Sequence, residues 1–194
     1  MYLIFKLTQT KIMQKTILFI LIILSTSNTA YNQITKGNWL VGGSASFSRL
    51  QSSSTATLQF KQTNIQISPL VGYFAEDKFA IGIKPSIIYG SNTIANSSTI
   101  INVGPFVRYY LLKSENIFNF FTEGGYSYGN NTGKGQGTGQ KLNTLSFSGG
   151  PVLYFNSSVG LEFIIAYSTT KVVGFSGNNN EIKFGVGFQF HLEK

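Results

Sequence analysis

The most regular stretch of the chain is its last. From Ile182 to Leu192, large apolar side chains alternate with small or polar ones without a phase error. Ile182, Phe184, Val186, Phe188, Phe190 and Leu192 fall on one face, and Lys183, Gly185, Gly187, Gln189 and His191 on the other. A period of two marks a strand whose faces meet different surroundings. About 9–11 tilted residues are enough to cross the hydrocarbon of a bilayer.

The pattern recurs upstream. Trp39, Val41, Gly43, Ala45 and Phe47 oppose Gly42, Ser44 and Ser46. Ile65, Ile67, Pro69, Val71 and Tyr73 oppose Gln66, Ser68 and Gly72. Phe79, Ile81, Ile83, Pro85, Ile87 and Tyr89 oppose Gly82, Lys84 and Ser86. Ile101, Val103, Pro105, Val107 and Tyr109 oppose Asn102, Gly104 and Arg108. Phe120, Thr122, Gly124, Tyr126 and Tyr128 oppose Glu123, Gly125 and Ser127. Leu145, Phe147, Pro151, Leu153 and Phe155 oppose Ser146, Ser148 and Gly150, and Val159, Leu161, Phe163, Ile165 and Tyr167 oppose Gly160, Glu162 and Ser168. With the last segment, this predicts an all-β fold: an eight-stranded antiparallel transmembrane barrel in up-and-down order, with the apolar phase toward lipid.

Short turns are expected near Glu76-Asp77, at 113–116 and at 156–158, and long polar loops at about 49–62, 91–99, 130–143 and 170–181. An even strand count puts both chain ends on the short-turn side, which in an outer-membrane barrel is the periplasm. Leu40, Leu70, Ile88, Phe106 and Ile164 break the polar phase, as filling of a narrow barrel requires. Pro69, Pro85, Pro105 and Pro151 stand inside strands on the apolar phase. Proline donates no ladder bond, so bulges or missing bonds are expected there.

Composition agrees. Charged residues are 11% of the chain, against about 25% in ordinary domains. Phe and Tyr number 17 and 10, and Gly 21. Residues 1–30 read as a signal peptide: Lys15, the apolar run Ile17–Leu24, then small polar residues to Ala30, with Met13 as an alternative start. Residues 31–194 are then the barrel domain, with 12 Lys and Arg against 7 Asp and Glu. This charge is scattered, so nucleic acid is not an expected partner. There is no cysteine to staple an exported chain.

By phase, Lys84, Arg108, Glu123, Glu162 and Lys183 point into the barrel. Ions confined there should pair, because an unpaired buried charge is costly. The expected contacts are Arg108 with Glu123 and Glu162 with Lys183, with Lys84 joining them or reaching an end. A structural network that fills the lumen is the plain reading, and a gate or narrow ion path the sharper one. No enzyme is expected. His191 is the single histidine, placed by sequence at the periplasmic rim, and Asp77 is the single aspartate. A catalytic triad would need His191, Glu162 or Glu123 and a serine at one height, and His191 is placed far along the strands from the outer loops; a metal site has no material, and no cofactor is expected.

The segments ISPLVGYFAEDKFAIGIKP (67–85), INVGPFVRYYL (101–111), FFTEGGYSYG (120–129) and GLEFIIAYS (160–168) resemble the outer-membrane β-barrel domain family common in Bacteroidetes, akin to the OmpA transmembrane domain and PorT-like small barrels. The resemblance covers roughly Asn38–Leu192. It implies an outer-membrane barrel of a Gram-negative bacterium, inserted from the periplasm by the barrel-assembly machinery. The partners expected are outer-membrane lipid, lipopolysaccharide and an unidentified surface or periplasmic protein. The family's usual terminal aromatic is displaced inward to Phe188 and Phe190, since the chain ends His-Leu-Glu-Lys. Two alternatives remain open at this point: a narrow pore or passive transporter, and a soluble lipocalin-like barrel that binds an apolar ligand.

Overall fold

The computed structural model describes residues 34–53, 59–92, 97–133 and 139–193. The segment read as a signal peptide lies outside them. The described residues form ten strands: β1 (Trp39–Ser53), β2 (Gln59–Glu76), β3 (Phe79–Ile83), β4 (Ser86–Asn92), β5 (Ser97–Val103), β6 (Pro105–Tyr110), β7 (Phe118–Gly133), β8 (Gln140–Tyr154), β9 (Val159–Val172) and β10 (Asn179–Leu192). All pairings are antiparallel between neighbours, and β1 pairs with both β2 and β10, so the sheet closes on itself.

Ten strands make eight staves. β3 and β4 lie end to end along β2 and are separated only at Lys84 and Pro85. β5 and β6 lie end to end along β7 and are separated only at Gly104. The register does not slip at either break. Ile67 pairs with Ile87 and Val71 with Ile83, which leaves Pro69 opposite Pro85 in step. Pro151 pairs with Phe120 on one side, while on the other the β8–β9 ladder jumps from Gly149↔Ile165 to Val152↔Glu162. The prolines therefore cost ladder bonds and add no residues, since a bulge would have shifted the pairing. A register shift does occur at Phe74/Glu76, beside the two-residue turn Asp77-Lys78. Lys78 takes a left-handed backbone there, φ 66°.

The long loops expected from sequence are largely strand. β1 runs to Ser53 and β2 begins at Gln59; β7 runs to Gly133 and β8 begins at Gln140. Ladder bonds need no apolar side chains, so the hairpins continue as paired strands after the side chains turn polar. Strands of 14 to 18 residues exceed the ~10 that cross hydrocarbon.

The apolar phase faces outward all round. Ile81 is 44% exposed, Val107 48% and Phe184 73%, and each strand contributes similar residues. The polar phase faces a lumen narrow enough that glycines are needed where staves and fillers meet. A Cβ on Gly82 would run into the Val71 carbonyl and the Phe106 ring. At the short-turn rim, Trp39 meets Tyr73 edge-on, with ring centroids 5.5 Å apart. That rim is also closed by chain. Residues 34–38 fold across it: Gly37 N donates to Phe74 O, Phe74 N to Asn38 O, and Lys78 N to Ile34 O. Gly37 turns this strap with φ 95°. Ile34, fully buried, drops into the end of the barrel. Sequence reading missed Ile34, which lies before the first alternating segment.

Candidate functional site: a charged belt over an aromatic floor

The lumen is layered. Its lowest layer, nearest the short turns, is a floor of Ile34, Leu40, Phe74, Ala80, Tyr110, Phe121, Val152 and Tyr154, all buried. His191 sits among them. Its ring packs edge-on against Phe74 at 5.4 Å and against Tyr110 at 6.1 Å, and tilted against Tyr154 at 5.6 Å. The sequence placed this histidine at the rim, but it is 1% exposed. It is inside because the strap and the ends of β2 and β6 extend the wall past it. Among the described residues neither ring nitrogen has a hydrogen-bond partner, so the imidazole serves the floor as an aromatic plate.

Directly above lies the belt. Arg108 stands across the β6–β7 ladder from Glu123, its register partner. Its Nε donates to Glu123 Oε2 at 2.8 Å, and its Nη2 lies 2.7 Å from the same oxygen. Its Nη1 donates to Glu162, which reaches in from β9 on another side of the barrel. One planar guanidinium thus bridges two carboxylates, a geometry a lysine lacks. Its carbon also lies 4.3 Å from the centre of the Phe121 ring, which seats it on the floor. Lys84 donates to Glu123 Oε1 at 2.6 Å.

Neutral groups complete the layer. Tyr110 donates its hydroxyl proton to Gln189 Oε1 at 2.6 Å and accepts from Arg108 Nη1 at 3.3 Å. Gln189 Nε2 donates to the Tyr154 hydroxyl at 2.8 Å. Polar atoms of the belt are thereby satisfied across the lumen, as low-dielectric surroundings demand. Sequence reading did not pick out Gln189 or Tyr110. Both stand on the inward phase, which was the available signal.

Of the five residues singled out by phase, four meet: Lys84, Arg108, Glu123 and Glu162. The expected Glu162–Lys183 contact is not made. Glu162 pairs in register with Gly187, four residues along β10 from Lys183, a separation of about 13 Å at ~3.3 Å per residue. Lys183 instead bonds Gln66 Oε1 at 2.9 Å and pairs with Glu181 at 3.0 Å. Strand adjacency suggested the wrong pairing because it ignores height.

Above the belt the lumen opens into a cup of about 230 Å³, lined by Ser44, Ser68, Ser86, Asn102, Ser146 and Thr170 among others. The buried side chains of Phe106 and Ile164 also stand in its lining. The cup opens away from the short turns, so the lumen is sealed at one end and polar at the other. Turns at the sealed end are pinned by asparagines. Asn119 Oδ1 accepts from Leu112 N and Phe120 N while its Nδ2 donates to Leu112 O. Asn156 Oδ1 accepts from Ser158 N and Val159 N. On the strap, Lys36 Nζ lies 2.7 Å from Glu76 Oε1. That hydrogen bond, with the carboxylate charge, raises the ammonium above its ordinary lysine value. Among the described residues no group of His, Cys, Asp and Glu is arranged to hold a metal ion.

No family model matches the chain, and no curated protein matches it by sequence. In fold it is similar to Neisserial surface protein A, with TM-score 0.56 and 14% identity, covering 80% of this chain and 97% of that one. It is also similar to the outer membrane protein OprG from Pseudomonas aeruginosa, with TM-score 0.53 and 14% identity, covering 84% of this chain and all of that one.

Proposed function

We propose that the chain is a small integral outer-membrane β-barrel of a Gram-negative bacterium, with a structural or surface-interaction role and no continuous channel. The observation that carries this reading is the pairing of an outward apolar phase with a plugged interior. A monomer in water rarely shows a contiguous apolar patch beyond a few hundred Å². Here the apolar side chains circle the whole barrel. That arrangement is the inverse of a soluble ligand-binding barrel, and it favours lipid as the surrounding solvent. The Arg108–Glu123–Glu162 bridge and the aromatic floor lie across the lumen, which argues against the narrow-pore alternative.

In this reading the short-turn rim and both ends of the strand array face the periplasm. The extended polar hairpins face outward, where lipopolysaccharide and surface partners lie, and insertion uses the barrel-assembly machinery. The kinship with the Bacteroidetes domain family belongs to the same proposal. So does the absence of enzymatic activity, which fits a belt whose acids are all engaged by cations. Conductance across a planar bilayer tests it. The folded protein should insert, judged by heat-modifiable migration, and leave the membrane silent. A steady open channel would overturn the sealed-lumen reading.

A further inference from the structure

Among the described residues the barrel's closing seam is paired over only about half of its length. β1 pairs with β2 over its whole length, from Trp39↔Tyr73 to Ser53↔Gln59, and β10 pairs with β9 from Asn179 to Phe190. Between β1 and β10, however, the pairing among the described residues stops at Ala45↔Val186. Continued two places, the same register would set Phe47 opposite Phe184. Among the described side chains these are the most exposed large apolar ones on β1 and β10, at 67% and 73%. A cavity of about 410 Å³ lies at this point, within the ~300–1,000 Å³ range of small-molecule sites. Its lining mixes the two faces of the wall. Phe47, Ile182 and Phe184 belong to the outward phase, whereas Gln66, Ile88 and Lys183 belong to the lumen. The cavity therefore passes between the strands.

Its depth matters. Counted from the Trp39 girdle, Ser46 and Phe47 stand near the far end of the ~9–11 residues that cross hydrocarbon. The gap thus opens at the level of the leaflet on the long-loop side. Lipid-exposed open edges are not tolerated at membrane depth, and irregular backbone persists there only against protein or a polar cavity. The serine-lined cup behind the gap supplies such a cavity. Lys183 reaches from β10 past the inner face of β1 to Gln66 on β2, and so bars the gap from within by one hydrogen bond.

We infer that this seam is a lateral port through which a single-chain amphiphile passes between the outer leaflet and the cup. The apolar tail slides between Phe47 and Phe184, and the polar head meets Lys183, Gln66 and the serines. This rests on the membrane reading above and adds a route that a lumen sealed below does not otherwise have.

The chain lacks cysteine and has one tryptophan, which makes the test clean. The reporter is Trp39→Phe with Ile100→Trp, which puts the fluorophore in the cavity; Ser44→Trp, lower in the cup, is the second reporter. Phe47→Cys with Phe184→Cys supplies a clamp, closed by oxidation or, where the gap is too wide, by a short bismaleimide. In phosphatidylcholine vesicles, 11-bromoundecanoic acid should quench the lumen tryptophan several-fold more strongly with the seam open than clamped. Acrylamide, entering from water through the cup, should quench both forms alike. Equal quenching by the bromo acid in both forms, or none in either, overturns the port. Crosslinks forming chiefly between two copies would overturn it also, by showing a second barrel on the seam. Protein that fails to float with the vesicles refutes the membrane reading instead, so the two failures are distinguishable.

Discussion

Arg108→Met asks how much the belt depends on its one shared cation. The side chain is 1% exposed and donates to two carboxylates, Glu123 and Glu162. After substitution, Glu123 keeps Lys84 at 2.6 Å. Glu162 retains no ion-pair partner among the described residues, because its described ionic contact is with Arg108. Removing one partner of a buried pair costs about 3–5 kcal/mol, chiefly through the charge left behind. Much of that loss should therefore return in Arg108→Met/Glu162→Gln, in which the stranded charge is gone. The double-mutant cycle should give a coupling of about 1–3 kcal/mol. Arg108→Lys should recover little, since an ammonium lacks the fork that spans both acids. The assay is urea-induced unfolding in phospholipid vesicles, followed by the fluorescence of Trp39 and by mobility of unboiled samples on a gel. A loss below about 1 kcal/mol for Arg108→Met would refute the reasoning, because that is the worth of a solvated surface pair. It would mean that water reaches the belt freely.

Three further substitutions probe other layers. Val107→Arg, on the lipid face, should cost about 2–4 kcal/mol in vesicles, whereas Thr144→Arg, in the cup, should cost far less; equal costs would contradict the assignment of faces. His191→Phe should leave unfolding unchanged or raise stability by up to about 2 kcal/mol, since both ring nitrogens lack partners among the described residues; a clear loss would reveal a bond the imidazole makes. Asn119→Ala removes the groups that hold the 111–117 turn and should cost about 1–3 kcal/mol by the same unfolding assay.

The parts of this fold legible in the sequence are those governed by one surrounding. Lipid meets every strand alike, so Ile81, Val107 and Phe184 follow one rule, and the outward face could be read strand by strand. The inward face was legible as a phase but not as a set of contacts. Arg108 and Glu123 are register partners on adjacent staves, so sequence adjacency pairs them correctly. Glu162 and Lys183 also lie on adjacent staves, yet they differ in height by four residues, and only the β9–β10 register reveals it. Pro85 and Pro105 were visible as odd residues inside strands, while the ladder breaks at Lys84-Pro85 and Gly104 were not. Nothing in the alternation marks Ile34 as a plug, because it belongs to no strand and owes its burial to the turn at Asp77-Lys78, some forty residues on.

The account rests on which solvent each face meets, and collision accessibility of spin labels measures that directly. Single cysteines at Ile81, Val107 and Phe163, and at Ser86, Ser127 and Ser146, carry a nitroxide in turn in vesicle-embedded protein. The first three should collide freely with oxygen, which concentrates in hydrocarbon, and little with a water-soluble nickel chelate. The last three should show the chelate entering from the cup. The opposite assignment, with nickel reaching Ile81, Val107 and Phe163 and missing the serines, would contradict a barrel with its apolar phase in lipid.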